Sequence, residues 1–346
     1  MSKRIYVGLD VHLNSIVAVW QTAGGRAHWM VVEPTEEGFE RLSQAVQGHE
    51  VWAAYEASSC GWEAHDELSR RGWKVFVLAP THLPKSVKSR KRKNDREDAQ
   101  MLLQVLMGHG ELGSKLPAVW VPGQRVREDR EIVRRRLAVG EKLGRVKAEI
   151  RSLLRMHRVK TPGTLKSPWT QKYQAWLTGL CGAEGTLGAS VKEGLASQVR
   201  ELKFFQEESE RLQGAIEKLS QEEAYRGATE RMTRRQGVAT LTAMTYLLEM
   251  GDVNRFKNRQ QVGCYLGLVP TSDESGEQNN RKGHITRMGP ARIRKVLNQA
   301  AWACLTFDET LRAWYKPLAE RRGKKIAIVA VMRRLGIELW REAKSA

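Results

Sequence analysis

Short apolar runs, separated by polar and turn-forming residues, occupy the first part of the chain and are typical of β-strands. Segments with helical spacing follow the third, fourth and fifth of these runs. We predict strands at 4–11, 14–20, 27–33, 51–55 and 74–79, and helices at 35–47, at 61–71 and from Asn94 onwards. The predicted order is three meandering strands followed by alternating helices and strands.

The middle of the chain changes to a helical period. Apolar residues recur at intervals of three and four over 125–158 and again over 191–219, which predicts two long amphipathic helices. The segment between them, 159–190, is rich in Gly, Thr and Trp and predicts a loop. The two helices could pair with each other as an antiparallel hairpin, or each could pair with another chain, and the pattern leaves both possibilities open.

The last third of the chain predicts a second globular unit that is mostly helical. Its apolar runs predict helices within 232–250 and at 254–268, 291–305 and 325–342. The polar, Gly-rich segment 270–290 predicts a loop. The turn Gly237-Val238-Ala239 either binds a phosphate through its backbone N–H groups, as helix–hairpin–helix turns do, or forms a packed corner between two helices. The sequence does not decide between these two interpretations.

These patterns together predict an α/β plus α fold with three domains. The first covers 1–122, and its last helix could extend further; the second is a long helical, coiled-coil-like segment, 123–222; the third is the mostly helical C-terminal domain, 223–346. The order of elements in the first domain resembles that of the RNase H-like nucleases, in which three meandering strands also precede the alternating strands and helices.

Four carboxylates stand where such a sheet could bring them together. Asp10 ends the first strand and Glu56 ends the fourth, and these two strands are neighbours in an RNase H-like sheet. Asp95 and Asp98 open the next helix and share one of its faces. Converging carboxylates repel one another unless a cation lies between them, and oxygen ligands suit Mg²⁺ or Mn²⁺. We therefore predict a metal site that acts on phosphodiesters.

Each of these acids also has an ordinary alternative role. Asp10 alone could be a turn residue at the end of a strand. Asp95 and Asp98 alone could stabilise the N-terminus of a helix through its dipole. The combination of all four acids, on these elements and in this order, favours the metal site.

The charge of the chain indicates a polyanionic partner. Its 58 Lys and Arg outnumber its 39 Asp and Glu, the formal net charge is +19, and the apolar content is an ordinary 41%, so we expect a folded protein that binds nucleic acid. The basic stretch before Asp95 could also be a solvated charge run. The predicted backbone contacts are Lys88, Arg90, Lys91, Arg92 and Lys93 in that stretch, and Arg281, Lys282, Arg287, Arg292 and Arg294 in the last domain.

Other classes of protein fit the sequence poorly. No run approaches the roughly 20 apolar residues of a membrane span, and the first residues lack the pattern of a signal peptide, so we expect a cytosolic protein without a membrane partner. Its four cysteines are scattered, without CxxC spacing, which favours free thiols over a zinc site. They are Cys60, Cys181, Cys264 and Cys304.

Two unrelated sets of motifs resemble those of the DEDD-type insertion-sequence transposases, the group that includes the Piv DNA invertase. The first set is Gly8–His12, Tyr55–Ser58 and Lys93–Ala99. The second set is Gly237-Val238, Glu249–Asp252, Phe256-Lys257, Tyr265–Pro270, Ser275-Gly276, Lys282–Thr286 and Arg292–Arg294. The resemblance covers nearly the whole chain, with the motifs in the family's order.

This resemblance implies a RuvC-like first domain that binds Mg²⁺, or Mn²⁺, through the four catalytic acids Asp10, Glu56, Asp95 and Asp98. It also implies a serine nucleophile just before a glycine, Ser275, which bonds covalently to DNA. Members of the family join donor and target DNA as dimers and tetramers, directed by a structured non-coding RNA of the element, the bridge RNA. The residues alone do not separate Ser275 from Ser272, and either could be an ordinary loop hydroxyl.

Three functions therefore compete. The favoured one is an RNA-guided DNA recombinase, a transposase that uses both the acids and Ser275. The second is a RuvC-like endonuclease that hydrolyses branched DNA and needs only the acids. The third is a non-catalytic protein that binds structured RNA or DNA and needs only the positive charge.

Overall fold

The chain forms two compact units, one up to Val121 and the other from Pro122 onwards. The structure, a computed structural model, describes residues 3–83, 94–182, 187–272 and 282–344, with positions 272 and 282 described by their backbone. Among these residues, none of the helices combines the length and the apolar character that a bilayer span requires.

The first unit is built on a mixed five-stranded sheet in the order β3-β2-β1-β4-β5. Its first three strands are antiparallel neighbours, and β4 and β5 continue the sheet in parallel with β1. The five predicted strands are thus all present, in the predicted order. They are β1 (Arg4–Val11), β2 (Ile16–Thr22), β3 (His28–Val32), β4 (Glu50–Glu56) and β5 (Lys74–Leu78).

Helices cover both faces of this sheet because side chains alternate between the faces along each strand. One face packs against α1 and α2 through residues such as Leu9, Phe39 and Leu68. The other face packs against α3 through residues such as Tyr6 and Leu103. These helices are α1 (Glu36–Ala45), α2 (Glu63–Arg70) and α3 (Asp95–Leu112).

Helix α3 approaches β1 unusually closely at Gly8. A Cβ atom added to Gly8 would lie 2.1 Å from the carbonyl oxygen of Ala99 and 2.5 Å from the backbone nitrogen of Leu103. Any larger residue would therefore push the helix backbone away from the strand. The absence of a side chain at position 8 is a packing requirement of this unit.

The second unit is helical apart from a short hairpin. Its helices are α4 (Gln124–Met156), α5 (Gln171–Leu180), α6 (Ala189–Ser220), α7 (Glu223–Thr233), α8 (Thr240–Met250), α9 (Arg259–Tyr265), α10 (Ala291–Phe307), α11 (Glu309–Arg322) and α12 (Lys324–Lys344). Two strands, β6 (Pro270–Ser272) and β7 (Lys282–Ile285), pair antiparallel. The α/β plus α class predicted for the whole chain is confirmed.

The apolar stripes of α4 and α6 face each other within this chain. Their buried residues join one cluster, which α5 completes with Tyr173 and Leu177. The stripe residues in this cluster are Val146, Ile150 and Leu154 of α4 and Leu195, Val199 and Leu202 of α6. Of the two pairings that the sequence left open, the structure therefore shows the intramolecular one.

The long helices also pack against the C-terminal part of the chain. Helix α8 contacts both α4 and α6, and the buried Arg130 of α4 donates from Nε to the Leu248 carbonyl oxygen at 2.7 Å. Arg134 of α4 forms a two-point ion pair with Glu249, at 2.9 and 3.2 Å. The segments predicted as separate domains, 123–222 and 223–346, are consequently one compact unit.

Several elements differ from the sequence-based prediction. The segment 159–190 was expected to be a loop but contains α5, and α11 was not predicted. The segment 270–290, also expected to be a loop, contains the two strands of a hairpin, β6 and β7. The helix expected at 254–268 is reduced to α9, which a short 3₁₀ turn, Val253–Arg255, precedes. Tertiary packing rather than local periodicity defines these elements.

The Gly237 turn is a packed corner. Gly237 has a φ of 96° between α7 and α8, and a Cβ at this position would lie 2.6 Å from the backbone nitrogen of Cys304 in α10. Val238 beside it is buried. This packing favours the structural interpretation of the turn over phosphate binding.

Replacing Gly8 with Ala tests the close packing of α3 on β1. We expect the free energy of unfolding to fall by about 1–3 kcal/mol, the usual cost of overpacking, because the added methyl group overlaps the helix backbone. The measurement is chemical denaturation followed by circular dichroism. Gly144→Ala is the control, because nothing lies within 4 Å of a Cβ at this exposed helical position; equal stability of Gly8→Ala and Gly144→Ala would contradict the packing requirement.

Candidate metal and nucleic-acid site

Asp10 lies at the carboxyl end of β1, on the face that α3 covers. Tyr6, Gly8 and Asp10 are two residues apart along the strand, so they point to the same face. Tyr6 and Gly8 both pack against α3. The Asp10 side chain is only 17% exposed. A carboxylate held there needs a compensating partner.

The N-terminus of α3 brings a second carboxylate to the same place. Asn94 caps the helix, its side chain accepting a hydrogen bond from the Arg96 backbone N–H at 3.1 Å. Asp95 and Asp98 occupy the first turn, one turn before the buried Ala99 and Leu102 that pack on the sheet. The face of α3 that packs on the sheet therefore carries Asp95 and Asp98 at its N-terminal end, on the side of Asp10.

Asp10, His12 and Asp95 form a compact group. His12 Nε2 lies 3.1 Å from an Asp10 carboxylate oxygen and 3.7 Å from an Asp95 carboxylate oxygen. One ligand atom from each of the three residues lies within 4.8 Å of the others. Such a cluster can hold a metal ion.

His12 is the member of this group that the sequence-based prediction missed. It belongs to the Gly8–His12 motif, but no role was assigned to it. Its position two residues after Asp10 was the available signal, because residues two apart in an extended chain point to the same side.

The surroundings of Asp10 disfavour the ionised form of its carboxyl group. Burial raises the pKa of the Asp10 carboxyl above its ordinary value, and the nearby charges of Asp95 and Asp98 raise it further. His12 acts in the opposite direction but does not cancel these effects. A bound divalent cation would relieve both the repulsion and the desolvation.

Glu56 lies beside this group but is not part of it. Parallel pairing of β1 with β4 ends at Leu9 and Tyr55, so Asp10 and Glu56 are the next residues of two adjacent strands. Glu56 is exposed. The structure thus gathers Asp10 and Asp95 with His12, and leaves Glu56 and Asp98 outside the three-residue group.

The ligand types fit a divalent cation. Carboxylate oxygens are the ligands that Mg²⁺ and Mn²⁺ prefer, and an imidazole nitrogen extends the range to other transition metals. The three residues therefore fit a divalent metal without selecting one ion.

A cleft opens next to Asp95, between the N-terminus of α3 and β3. Trp29 and Val31 of β3 line it together with Asp95 and Arg96. Trp29 is 49% exposed, and the Arg96 guanidinium lies 4.5 Å above its ring, a cation–π contact. An aromatic ring and a cation beside an acidic group are suited to a nucleotide strand.

Several predicted site residues, the serine nucleophile among them, fall outside the described residues. These are Ser275, Lys88, Arg90, Lys91, Arg92, Lys93 and Arg281. Ser272 ends β6, and its backbone pairs with that of Lys282, the first residue of β7.

The remaining predicted cations lie around the start of α10. Arg287 has a φ of 53°, a left-handed conformation that is rare for a residue with a side chain. Arg292 is half exposed, 3.9 Å from Glu249. Arg294 donates from its guanidinium to the carbonyl oxygens of Leu266 and Gly289, at 3.2 and 3.0 Å. These two hydrogen bonds hold the loop between β7 and α10, which carries Arg287.

Comparisons with known proteins show which family this chain resembles. Residues 7–158 match the family model of DEDD transposases of the IS110 type, which is described as a transposase. Residues 229–316 match the model described as the transposase IS116/IS110/IS902 family. The first match contains the four predicted acids and the second contains Ser275.

Individual relatives agree with these matches. A Sinorhizobium fredii protein that is named as a transposase is 27% identical over 305 residues, which cover 87% of this chain and 72% of the relative. The transposase for insertion sequence element IS1533 of Leptospira borgpetersenii is 25% identical over 312 residues, 87% of this chain and 86% of the relative. The transposase for insertion sequence element IS1111A of Coxiella burnetii is 26% identical over 276 residues, 76% of this chain and 70% of the relative.

Replacing Asp10 with Asn is expected to stabilise the metal-free protein at neutral pH. The folded state holds the Asp10 proton more tightly than the unfolded chain, in which the carboxyl pKa is near 3.8. The metal-free protein therefore loses stability as the pH rises from that value through the raised pKa, and Asn removes this loss. In EDTA at pH 7 the melting temperature of Asp10→Asn should exceed that of the wild type, and the difference should shrink as the pH falls towards 4.

The same variant tests metal binding. Mg²⁺ or Mn²⁺ at 100 times its Kd should stabilise the wild type by about 2.7 kcal/mol and should stabilise Asp10→Asn much less. Glu40→Gln, which removes an exposed carboxylate on α1, should keep the full increase in melting temperature. An equal metal-induced increase in Asp10→Asn and the wild type would rule out this site.

Proposed function

Because this chain belongs to the DEDD-type family of insertion-sequence transposases, we propose that it cuts donor and target DNA and joins them to each other. In this proposal the metal-binding acids are Asp10, Glu56, Asp95 and Asp98, and the nucleophile is Ser275. The observation that carries it is the group of Asp10, His12 and Asp95, in which a buried, repelled carboxylate needs a cation.

The first unit would supply the metal-dependent part of the chemistry. DEDD transposases typically use divalent metal ions. Asp10 and Asp95, with His12, would hold a metal ion, and Glu56 and Asp98 stand next to them to complete its surroundings. A divalent cation bound there supplies charge stabilisation for a phosphodiester under attack.

Ser275 would conserve the energy of the cut bond. Its Oγ would attack the phosphorus of a DNA strand, forming a phosphoserine ester and releasing a sugar hydroxyl as the leaving group. A hydroxyl of a second strand would then attack the same phosphorus and release the serine. The number of phosphoester bonds stays constant in each step, so strand joining requires no high-energy cofactor. A free serine hydroxyl is a weak nucleophile and needs a base or a metal ion to activate it.

The hairpin supports the assignment of a functional loop. Strands β6 and β7 pair from Pro270 with Ile285 to Ser272 with Lys282, and the Thr271 hydroxyl donates to the His284 carbonyl oxygen at 3.1 Å. The described residues that flank the Ser275 segment are therefore held together at one place in the second unit. Functional loops on rigid supports commonly have this arrangement.

The nucleic-acid partners follow from the charge and from the family resemblance. With a net charge of +19, the protein has the electrostatics of a nucleic-acid binder. We propose that a structured non-coding RNA from the element guides it to donor and target DNA. We further propose that the acids and the serine act together in a dimer or tetramer of this chain.

Ser275→Ala should abolish recombination, with a loss of at least about a thousandfold, because it removes the proposed nucleophile. The measurement is recombination between donor and target plasmids in cells that also carry the element's flanking non-coding DNA. Ser272→Ala is the matched control and should recombine normally.

The same assay separates the competing functions. If Ser275→Ala recombines normally, the serine assignment is wrong and a mechanism based on the carboxylates alone is the better account. A hydrolytic endonuclease would require Asp10 but not Ser275. A non-catalytic binding protein would require neither residue.

Removal of the flanking non-coding DNA should also abolish recombination by the intact protein, because the proposed guide RNA is then not made. Supplying that RNA from a separate plasmid should restore recombination. Sequence-specific recombination by the protein in the absence of any element RNA would refute the guide role and leave the catalytic proposal intact.

A further inference from the structure

We propose that a cavity of the second unit, between the β6–β7 hairpin and the junction of α11 with α12, binds an unpaired nucleotide of a nucleic acid strand. Its base would occupy the apolar floor of the cavity and its phosphates would contact the cationic rim. The proposal deepens the proposed function, on which it rests only in taking the ligand to be nucleic acid.

The rim of this cavity is strongly positive. Five of its lining residues are cations: Arg287, Arg322, Lys324, Lys325 and Arg333. Within the described part of the chain, no carboxylate lines the cavity and none of these five cations has an ion-pair partner. Cations crowded together in this way repel one another, so an anion is the ligand that relieves the repulsion.

The floor of the cavity is apolar. Leu268 and Ile285 line it from the hairpin side, and Leu318, Ile326 and Val329 line it from α11 and α12. The Ile326 side chain is 59% exposed, although it stands among charged neighbours. A ligand with an apolar face would remove this surface from water.

The shape and chemistry of the cavity together point to an unpaired nucleotide. Its volume of about 1530 Å³ is above the roughly 300–1,000 Å³ of small-molecule pockets, so it has room for a nucleotide. A paired base in a duplex cannot enter it, because stacking and pairing cover both the faces and the edge of the base. An unpaired nucleotide offers an apolar face and a phosphate at once, and guanidinium groups can stack on bases.

Close packing fixes the residues of the rim. A Cβ on Gly289 would lie 1.9 Å from the Tyr265 carbonyl oxygen, so the loop that carries Arg287 must approach α9 through a glycine. The Arg333 side chain lies against Gly263 of α9, 3.0 Å from the position of a Cβ there. Gly323, with a φ of 82°, forms the turn between α11 and α12. The cations are therefore presented by constrained backbone.

The test is binding of short single strands by the full-length protein in EDTA. The measurement reports binding and not strand cleavage, so it depends on neither the acids nor Ser275, and its failure is distinct from failure of the proposed function. The probes are a labelled 12-nucleotide DNA strand, the corresponding RNA strand and the DNA duplex of the same sequence, followed by fluorescence anisotropy. A strand with 2-aminopurine at its centre reports whether a base becomes unstacked.

Two pairs of variants examine the rim and the floor. Arg322→Gln removes a rim cation, and Arg321→Gln removes its exposed neighbour outside the cavity. Ala330→Leu fills the floor without a change of charge, and Ala313→Leu adds the same bulk at an exposed position of α11. Thermal melts establish that each variant is folded.

We expect Arg322→Gln to raise the single-strand Kd at least about fivefold and Arg321→Gln to change it much less. Ala330→Leu should weaken single-strand binding by about 5- to 160-fold, the range for one stacked base, and should abolish the 2-aminopurine signal. The duplex affinity of this variant, and the single-strand affinity of Ala313→Leu, should stay close to those of the wild type. Losses confined to DNA or to RNA identify the strand that the site takes. Equal effects of Arg321→Gln and Arg322→Gln, or an unchanged 2-aminopurine signal in folded Ala330→Leu, would overturn the proposal.

Discussion

Helix α3 can lie directly against β1 because position 8 has no side chain, and this close approach brings the first turn of the helix to the end of the strand. The overlap that a single Cβ would create at Gly8, 2.1 Å from a backbone oxygen, shows how little space separates the two elements. Asp95 reaches Asp10 and His12 only because of this contact. The candidate site is therefore a consequence of backbone packing between helix and strand.

The same packing imposes an electrostatic cost. It buries Asp10 and places the charges of Asp95 and Asp98 near it, and all of these effects raise the pKa of the Asp10 carboxyl. The helix dipole and the Asn94 cap stabilise the acidic first turn of α3. His12 compensates in part. A buried carboxylate whose pKa is raised by burial and by neighbouring acids marks a candidate functional site.

The second unit has a different physical character, since cations outnumber carboxylates around its exposed cavity. The ion pairs of α4 with α8, such as Arg134 with Glu249, hold the long helices to the C-terminal helices. The cations around the β6–β7 hairpin have no such partners within the described residues. Positive charge is thus neutralised where it stabilises the fold and left available where a polyanion could bind. Both units fit a transposase that handles nucleic acid.

The five strands, the long helices, the family and the candidate acids can all be recognised from the amino-acid sequence. Hydrophobic period and charge are local properties, so long regular elements and strand-end carboxylates can be recognised without a structure. Tertiary structure alone decided that α4 pairs with α6, that α5 and the short hairpin form, and that the middle segment joins the C-terminal helices. It also added His12 to Asp10 and Asp95, and it assembled the basic cavity from hairpin, loop and helix residues. These features depend on contacts between residues far apart in the chain, and no local pattern encodes the distance at which distant segments pack.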